Sequence, residues 1–421
     1  MKPYHQHLLE THSQTRDTPP ENMPRLSDSQ IAAYLDKMLQ TAPLANGTTC
    51  RIGGSLQLFN SLLRFMDAAI ACDLTKLKDE LSLPEDHVKQ PLWRHLPLLD
   101  HYFHSLYSDD FNNCPATQLF FDLLPQTRFR YGPFSIFNPA LPLADNKRLL
   151  VSQHSFLDLV TCIQSEAIRI NLPHRMQSWQ LPVNCNILRA NAYESYLFKR
   201  TPEITLIELM LTYPQSAMAN GDDLDHRMTL IEEQKLQDQK AKLNQTSATE
   251  QEEAFPVIPP DTLKRDLAML LGGMKHKTIF RGKIGHATSM EWSRSGGHFA
   301  RIMLFFDTPL GNEETLLLGD QIGDYFSERT NGRMACLNCG WNPVDYPETG
   351  RIQANDVEKR THLLRRLLLW AQKHQFLNIK ASAGFRTFTT SDIPQKWREP
   401  HQPKNSIRKA LPLTEHGHIT A

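Results

Sequence analysis

The sequence has no surplus of either charge: 46 Lys and Arg balance 46 Asp and Glu. Global charge therefore gives no attraction to a polyanion, and only a local concentration of basic residues can supply one. No apolar run approaches the length of a bilayer span, so no membrane association is expected. The N-terminal stretch MKPYHQHLLETHSQ lacks the apolar core of a signal peptide. The seven cysteines are an odd set scattered along 421 residues, which argues against a disulfide scaffold and for a reducing compartment, the cytoplasm. Cys336 and Cys339 form a lone CxxC with no second pair, short of the four ligands zinc needs, and read as reduced thiols. Asp222, Asp223 and Asp225 lack further calcium-loop spacing. No Gly-x-x-x-x-Gly-Lys-Ser/Thr loop is present, and Gly272 with Gly273 reads as a helix end rather than a phosphate cradle.

What is there is ordinary globular material, 40% hydrophobic, in a chain long enough for two or three domains. Residues 1–26, with Pro19, Pro20 and Pro24, read as a mobile tail. Ile31, Tyr34, Leu35 and Met38 then share one face of a helix. Further helices are predicted around Leu56 to Phe65, from Leu98 to Leu106, at 118–124 and at 149–168. Together they make 27–195 a mainly helical domain. Residues 203–213, β-branched and apolar between Pro202 and Pro214, carry a central-strand signal. A Gln/Thr/Glu-rich stretch, 220–258, reads as a flexible insertion. Pro259, Pro260 and Asp261 open a helix with Leu263, Leu267, Leu270 and Leu271 on its apolar face. Two strands at 286–292 and 298–307, joined by a glycine turn, predict a hairpin. Helices are predicted at 313–328 and 356–376. The fold class expected is α+β: a helical N-terminal half, an antiparallel sheet flanked by helices over 196–400, and a tail at 401–421.

Positive charge is gathered near the C-terminus. From Lys359 to Lys409 the acids are only Asp392 and Glu399, against Arg360, Arg365, Arg366, Lys373, Lys380, Arg386, Lys396, Arg398 and four others. Such a cluster attracts a phosphate backbone through counterion release. Phe385, Phe388 and Trp397 are interleaved with the charges, and aromatic faces stack unpaired bases. The alternative is a solvated basic surface with those aromatics in the core.

The hairpin places Glu291 on one strand and His298 at the start of the next, across Gly296 and Gly297. Here the sequence resembles the YagK/YfjJ C-terminal family, the inovirus gene-product-two type of replication protein. The resemblance covers about residues 195–400. It rests on the order of several segments: EITLIELMLTYP from Glu203, the hairpin, Ile322 to Phe326, Gly350 to Ile352 before Asp356, Trp370 to Leu377, and Arg386 to Phe388. That family is distantly similar to rolling-circle replication initiators. There, two histidines and an acid hold a divalent metal such as Mg or Mn that polarises a phosphodiester, and a helix tyrosine attacks it.

The resemblance implies Glu291, His298 and Lys373 as the remnant of a catalytic site, with Glu291 and His298 as the metal ligands left. Two departures matter. Ala300 stands where the second strand histidine is expected, and Trp370 where the nucleophilic tyrosine is expected. His286 is a substitute ligand to consider, and Tyr325 and Tyr346 are substitute nucleophiles. The function expected is therefore DNA binding by a catalytically degenerate initiator-like protein of a prophage or other mobile element. Two alternatives stand beside it: a nicking endonuclease with displaced ligands, and a module whose N-terminal half docks a host or phage protein.

Overall fold

The computed structural model describes residues 23–39, 41–43, 49–51, 57–80, 91–108, 111–126, 146–214, 258–293, 297–380 and 386–397. In α1 (Asp28–Leu39), Ile31, Leu35 and Met38 recur at i, i+4 and i+7 and are buried. A short antiparallel pair, β1 (Thr41–Pro43) and β2 (Thr49–Arg51), follows. Helix α2 (Leu58–Ala71) buries Phe59, Leu62, Phe65 and Met66. Gln57 gives its start no side-chain cap; the Asp36 carboxylate of α1 instead accepts the Phe59 amide at 2.8 Å. Next come α3 (Leu74–Glu80), a 3-10 turn over Trp93–Leu98, α4 (Leu99–Leu106), β3 (Phe111–Asn113) and α5 (Pro115–Leu123). Two long helices, α6 (Asn146–Arg169) and α7 (Leu172–Arg200), lead to the sheet.

The central strand is β4 (Glu203–Thr212), buried at every position after the first, as its unbroken apolar run predicts. After α8 (Pro260–Gly273) come the hairpin strands β5 (Lys283–Ser293) and β6 (Gly297–Phe306), then α9 (Asn312–Arg329). The chain continues with β7 (Ala335–Asn338), β8 (Gly350–Gln353), α10 (Val357–Gln372), β9 (Leu377–Ile379) and β10 (Phe388–Thr390). The main sheet runs β10-β5-β6-β4-β7, with β8 also paired to β4, and every pairing is antiparallel. The predicted α+β class, an antiparallel sheet flanked by helices, is the architecture observed.

Directly opposed residues of an antiparallel pair share a face. On one face of the sheet, Ile207, Leu209, Ala300, Ile302, Leu304, Met290 and Trp292 join a core that includes α8, α9 and residues of α1 to α6. On the other, Leu206, Ala287, Met303 and Phe305 pack against α7 and α10.

The expected division at 195/196 falls inside α7, and the apolar core on the first face is continuous across it. Strand β3 even pairs with β9, from opposite ends of the chain. Of the expected tail at 1–26, residues 1–22 lie outside the described residues and 23–26 are packed on the fold. Met23 and Leu26 pack beside α7 and α10, Arg25 donates to Asn184 at 2.7 Å, and the Leu26 amide donates to Gln372 at 2.9 Å. The insertion at 220–258 lies outside the described residues except for Ile258, which is buried. Residues 398–421 lie outside them as well.

Candidate functional site

Strand register decides what the expected site residues can do. Trp292 is opposite His298, and Glu291 is opposite Phe299. His298 therefore shares the first face with Ala300, whereas Glu291 lies on the second. Both are buried, at 2% and 1% exposure. The His298 Nδ1 lies 2.9 Å from the Ile258 carbonyl and donates to it. A metal held jointly by His298 and Glu291 is thus ruled out by the sheet between them, which corrects the expected ligand pair. His286 does not rescue it. It sits opposite Leu304, six residues from the His298 level, roughly 20 Å along the strand. Among the described residues no group of three or more His, Cys, Asp or Glu is arranged to hold a metal ion. Glu291 and His298 therefore do not form a joint site for a divalent ion.

Lys373 follows α10 in a 3-10 turn, Lys373–Gln375, and is buried. Its ammonium donates to the Ser289 hydroxyl (2.6 Å), to Glu291 Oε1 (3.1 Å) and to the Met290 carbonyl. Glu291 also accepts from the Ser289 and Tyr34 hydroxyls, each at 2.8 Å. Burial pushes the Glu291 pKa up, but Lys373, Arg301 and these two hydroxyls outweigh it and hold the carboxyl below its ordinary value.

The same face carries a second ionic group. Arg301 on β6 reaches Glu208 on β4 (3.3 Å) and donates to the Tyr346 hydroxyl (2.8 Å). Arg366 on α10 pairs with Glu348 (2.7 Å). Burial pushes Glu208 up to about 7 against the pull of Arg366 and Arg301. The carboxylates Glu208, Glu291 and Glu348 are thus matched by Arg301, Arg366 and Lys373. A buried, self-compensated set of this kind holds its charges inward and leaves none to grip a substrate phosphate.

Trp370 is fully buried in the second-face core, and Ala300 is fully buried in the first. Tyr346 is sandwiched by Arg301 and Arg366, with its hydroxyl pushed up to about 12 by burial. Tyr325 is mostly buried against Phe280. Neither stands beside a metal-binding group among the described residues. Cys336 and Cys339 are thiols that burial pushes up to about 12.

The predicted nucleic-acid residues divide sharply. Lys373 and Arg366 belong to the buried ionic set, and Arg360 is tied to Glu194 and the Ala354 carbonyl, both at 2.8 Å. These three are removed from the expected contact surface. Arg365, Lys380 and Arg386 are exposed, with no ion-pair partner among the described residues. Lys396 lies in a 3-10 turn, Gln395–Trp397, while Arg398 and Phe385 lie outside the described residues. Phe388 is buried and offers no face for base stacking, and Trp397 is half-buried against the second-face core.

The fold also assembles cations that the sequence reading passed over. Beside the β5–β10 edge, Arg189 of α7 is held below its usual range, first by burial and then by nearby Arg386. Lys283 is lowered by burial and by Lys275, and His286, down to about 4, by burial and by Lys283. Asp392 is the carboxylate felt by both His286 and Arg189, so these groups form one patch. A signal was present: MKHKTIFRGK, from Met274 to Lys283, contains no acid.

The fold and site define an α+β protein whose antiparallel sheet carries a closed ionic interior on one face and a basic edge. No family model matches the chain, and no curated protein and no solved structure matches it. No helix among the described residues is long and apolar enough to cross a membrane.

Proposed function

We propose that this chain binds DNA without cutting it, as an initiator-like protein of a prophage or other mobile element that occupies an origin or regulatory site. The observation that carries the reading is the basic edge. Arg386 lies near Arg189 and Lys275 near Lys283, and Asp392 is the carboxylate near Arg189 and His286. Like charges held together favour a polyanion, which relieves their repulsion and releases its own counterions. The sequence beyond Asp392 adds Lys396, Arg398, Lys404, Arg408 and Lys409 against Glu399 and Glu415. The absence of cutting is supported by Ala300, Trp370 and the inward-facing Glu291 and Lys373, which leave neither a ligand set nor a nucleophile at the expected positions.

The test is retention of unphosphorylated single- and double-stranded probes over a salt series, with and without manganese. Salt-sensitive binding without strand cleavage is expected. The double variant Lys275→Glu with Arg386→Glu should lower the slope of log affinity against log salt by about 2. Binding that ignores salt, or that survives the double variant unchanged, overturns the reading; manganese-dependent nicking overturns its non-catalytic part.

A further inference from the structure

A pocket of about 260 Å³ lies between α2 and the 3-10 turn Trp93–Leu98, among the N-terminal helices and away from the basic edge. Asn60, Ser61 and Arg64 come from α2; Arg94, His95 and Leu98 face them. Arg64 and Arg94 are both exposed at its mouth, and neither makes an ion pair among the described residues. Two guanidinium groups at the mouth of one pocket, with no carboxylate paired to them among the described residues, attract an anion.

The floor is ordered so that it offers a donor. His95 is 2% exposed and is neutral at ordinary pH: burial, Arg94 and Arg64 bring it down to about 4. Arg94 Nε donates to His95 Nε2 (3.4 Å), so the ring proton sits on Nδ1. That proton goes to the Tyr102 hydroxyl (2.8 Å), and the Tyr102 proton to Ser61 Oγ (2.6 Å). The chain ends at Ser61, which lines the pocket; its Oγ lies 2.6 Å from the Tyr102 hydroxyl and 3.5 Å from His95 Nδ1, and it has no carboxylate partner among the described residues. The first-turn amides of α2 at Phe59 and Asn60 are already taken by Asp36, so recognition here belongs to side chains.

We propose that this pocket is a binding site for a phosphate monoester. Two planar guanidinium forks match the charge of a dianion and between them engage its three terminal oxygens, and Ser61 supplies a further donor to one of these. A carboxylate brings one charge and two oxygens, and leaves one arginine unmatched. Leu58 and Leu98 give the ester's organic part an apolar wall. A mononucleotide and the 5′-phosphorylated end of a DNA strand both present this group. The inference is independent of DNA retention at the basic edge, which uses other residues.

Titration calorimetry on the full chain separates the cases, with inorganic phosphate, a deoxynucleoside 5′-monophosphate, acetate, and one oligonucleotide with and without a 5′-phosphate. The nucleotide, or the phosphorylated oligonucleotide in preference to its unphosphorylated twin, should bind at least about tenfold more tightly than acetate. Arg64→Gln and Arg94→Gln should each weaken binding about tenfold, and Ser61→Ala several-fold. Both arginines are exposed, so thermal melts of these two variants should match the parent. Binding of both phosphate carriers assigns the site to small nucleotides; binding of the phosphorylated strand alone assigns it to DNA ends. Failure of every phosphate probe, acetate binding of equal strength, or unchanged affinity in the Arg64→Gln, Arg94→Gln double variant overturns the proposal. Probes for the basic edge carry no terminal phosphate, so either result can fail without the other.

Discussion

Lys373 shows how much one buried charge depends on its neighbours. Its ammonium sits among Glu291, Ser289 and the Met290 carbonyl with no route to water. Removing one member of such a pair strands the other, which typically costs about 3–5 kcal/mol, whereas replacing both with neutral groups costs far less. Lys373→Met alone should therefore destabilise the protein by about 3 kcal/mol or more in urea unfolding, and Lys373→Met with Glu291→Gln by clearly less. A single-variant loss under about 1 kcal/mol would mean the pair is hydrated and the interior reading of this site is wrong. Ser289 and Tyr34 belong to the same unit, since both hydroxyls satisfy Glu291.

At the scale of the element, β6 decides the fate of the hairpin. Its period of two sends His298, Ala300 and Ile302 to the face packed by α8, α9 and the N-terminal helices, and Phe299 and Arg301 to the other. Ala300 is wholly buried in the core on that face. Restoring the histidine with Ala300→His should overpack the core, lowering stability by about 1–3 kcal/mol. It should give no manganese-dependent strand cleavage, since Glu291 remains across the sheet. Nicking by this variant, measured on a single-stranded probe, is the result that would sink the two-face account.

At the scale of the whole molecule, the N-terminal helices are part of the sheet's own core. Trp292 of β5 packs edge-on against Phe111 at 4.5 Å, Tyr34 of α1 satisfies Glu291, and β3 pairs with β9. Cutting the chain at the boundary expected from sequence would bare the first face of β4, β5 and β6 to water and leave Glu291 without one donor. A fragment of residues 196–421 should therefore fail to give a dispersed amide spectrum or a cooperative melt, whereas the full chain should give both. A well-folded fragment would show that the two halves form separate cores.

The sequence by itself determined the elements. The unbroken apolar run of β4, the Pro259–Pro260 start of α8, the glycine turn of the hairpin and the spacing of Ile31, Leu35 and Met38 are local signals, and each led to the right strand or helix. Only the tertiary structure decided what the charged residues do. Pairing of Ser293 with Gly297 sets Glu291 opposite Phe299; a slip of one residue would have placed it beside His298. Likewise Arg366 and Lys373 look as free as Arg365 along α10 and its end, until β4, β5 and the turn before β8 supply Glu208, Glu291 and Glu348 beneath them. Whether a charge meets solvent or a partner depends on residues far away in the chain, and local pattern carries no record of that distance.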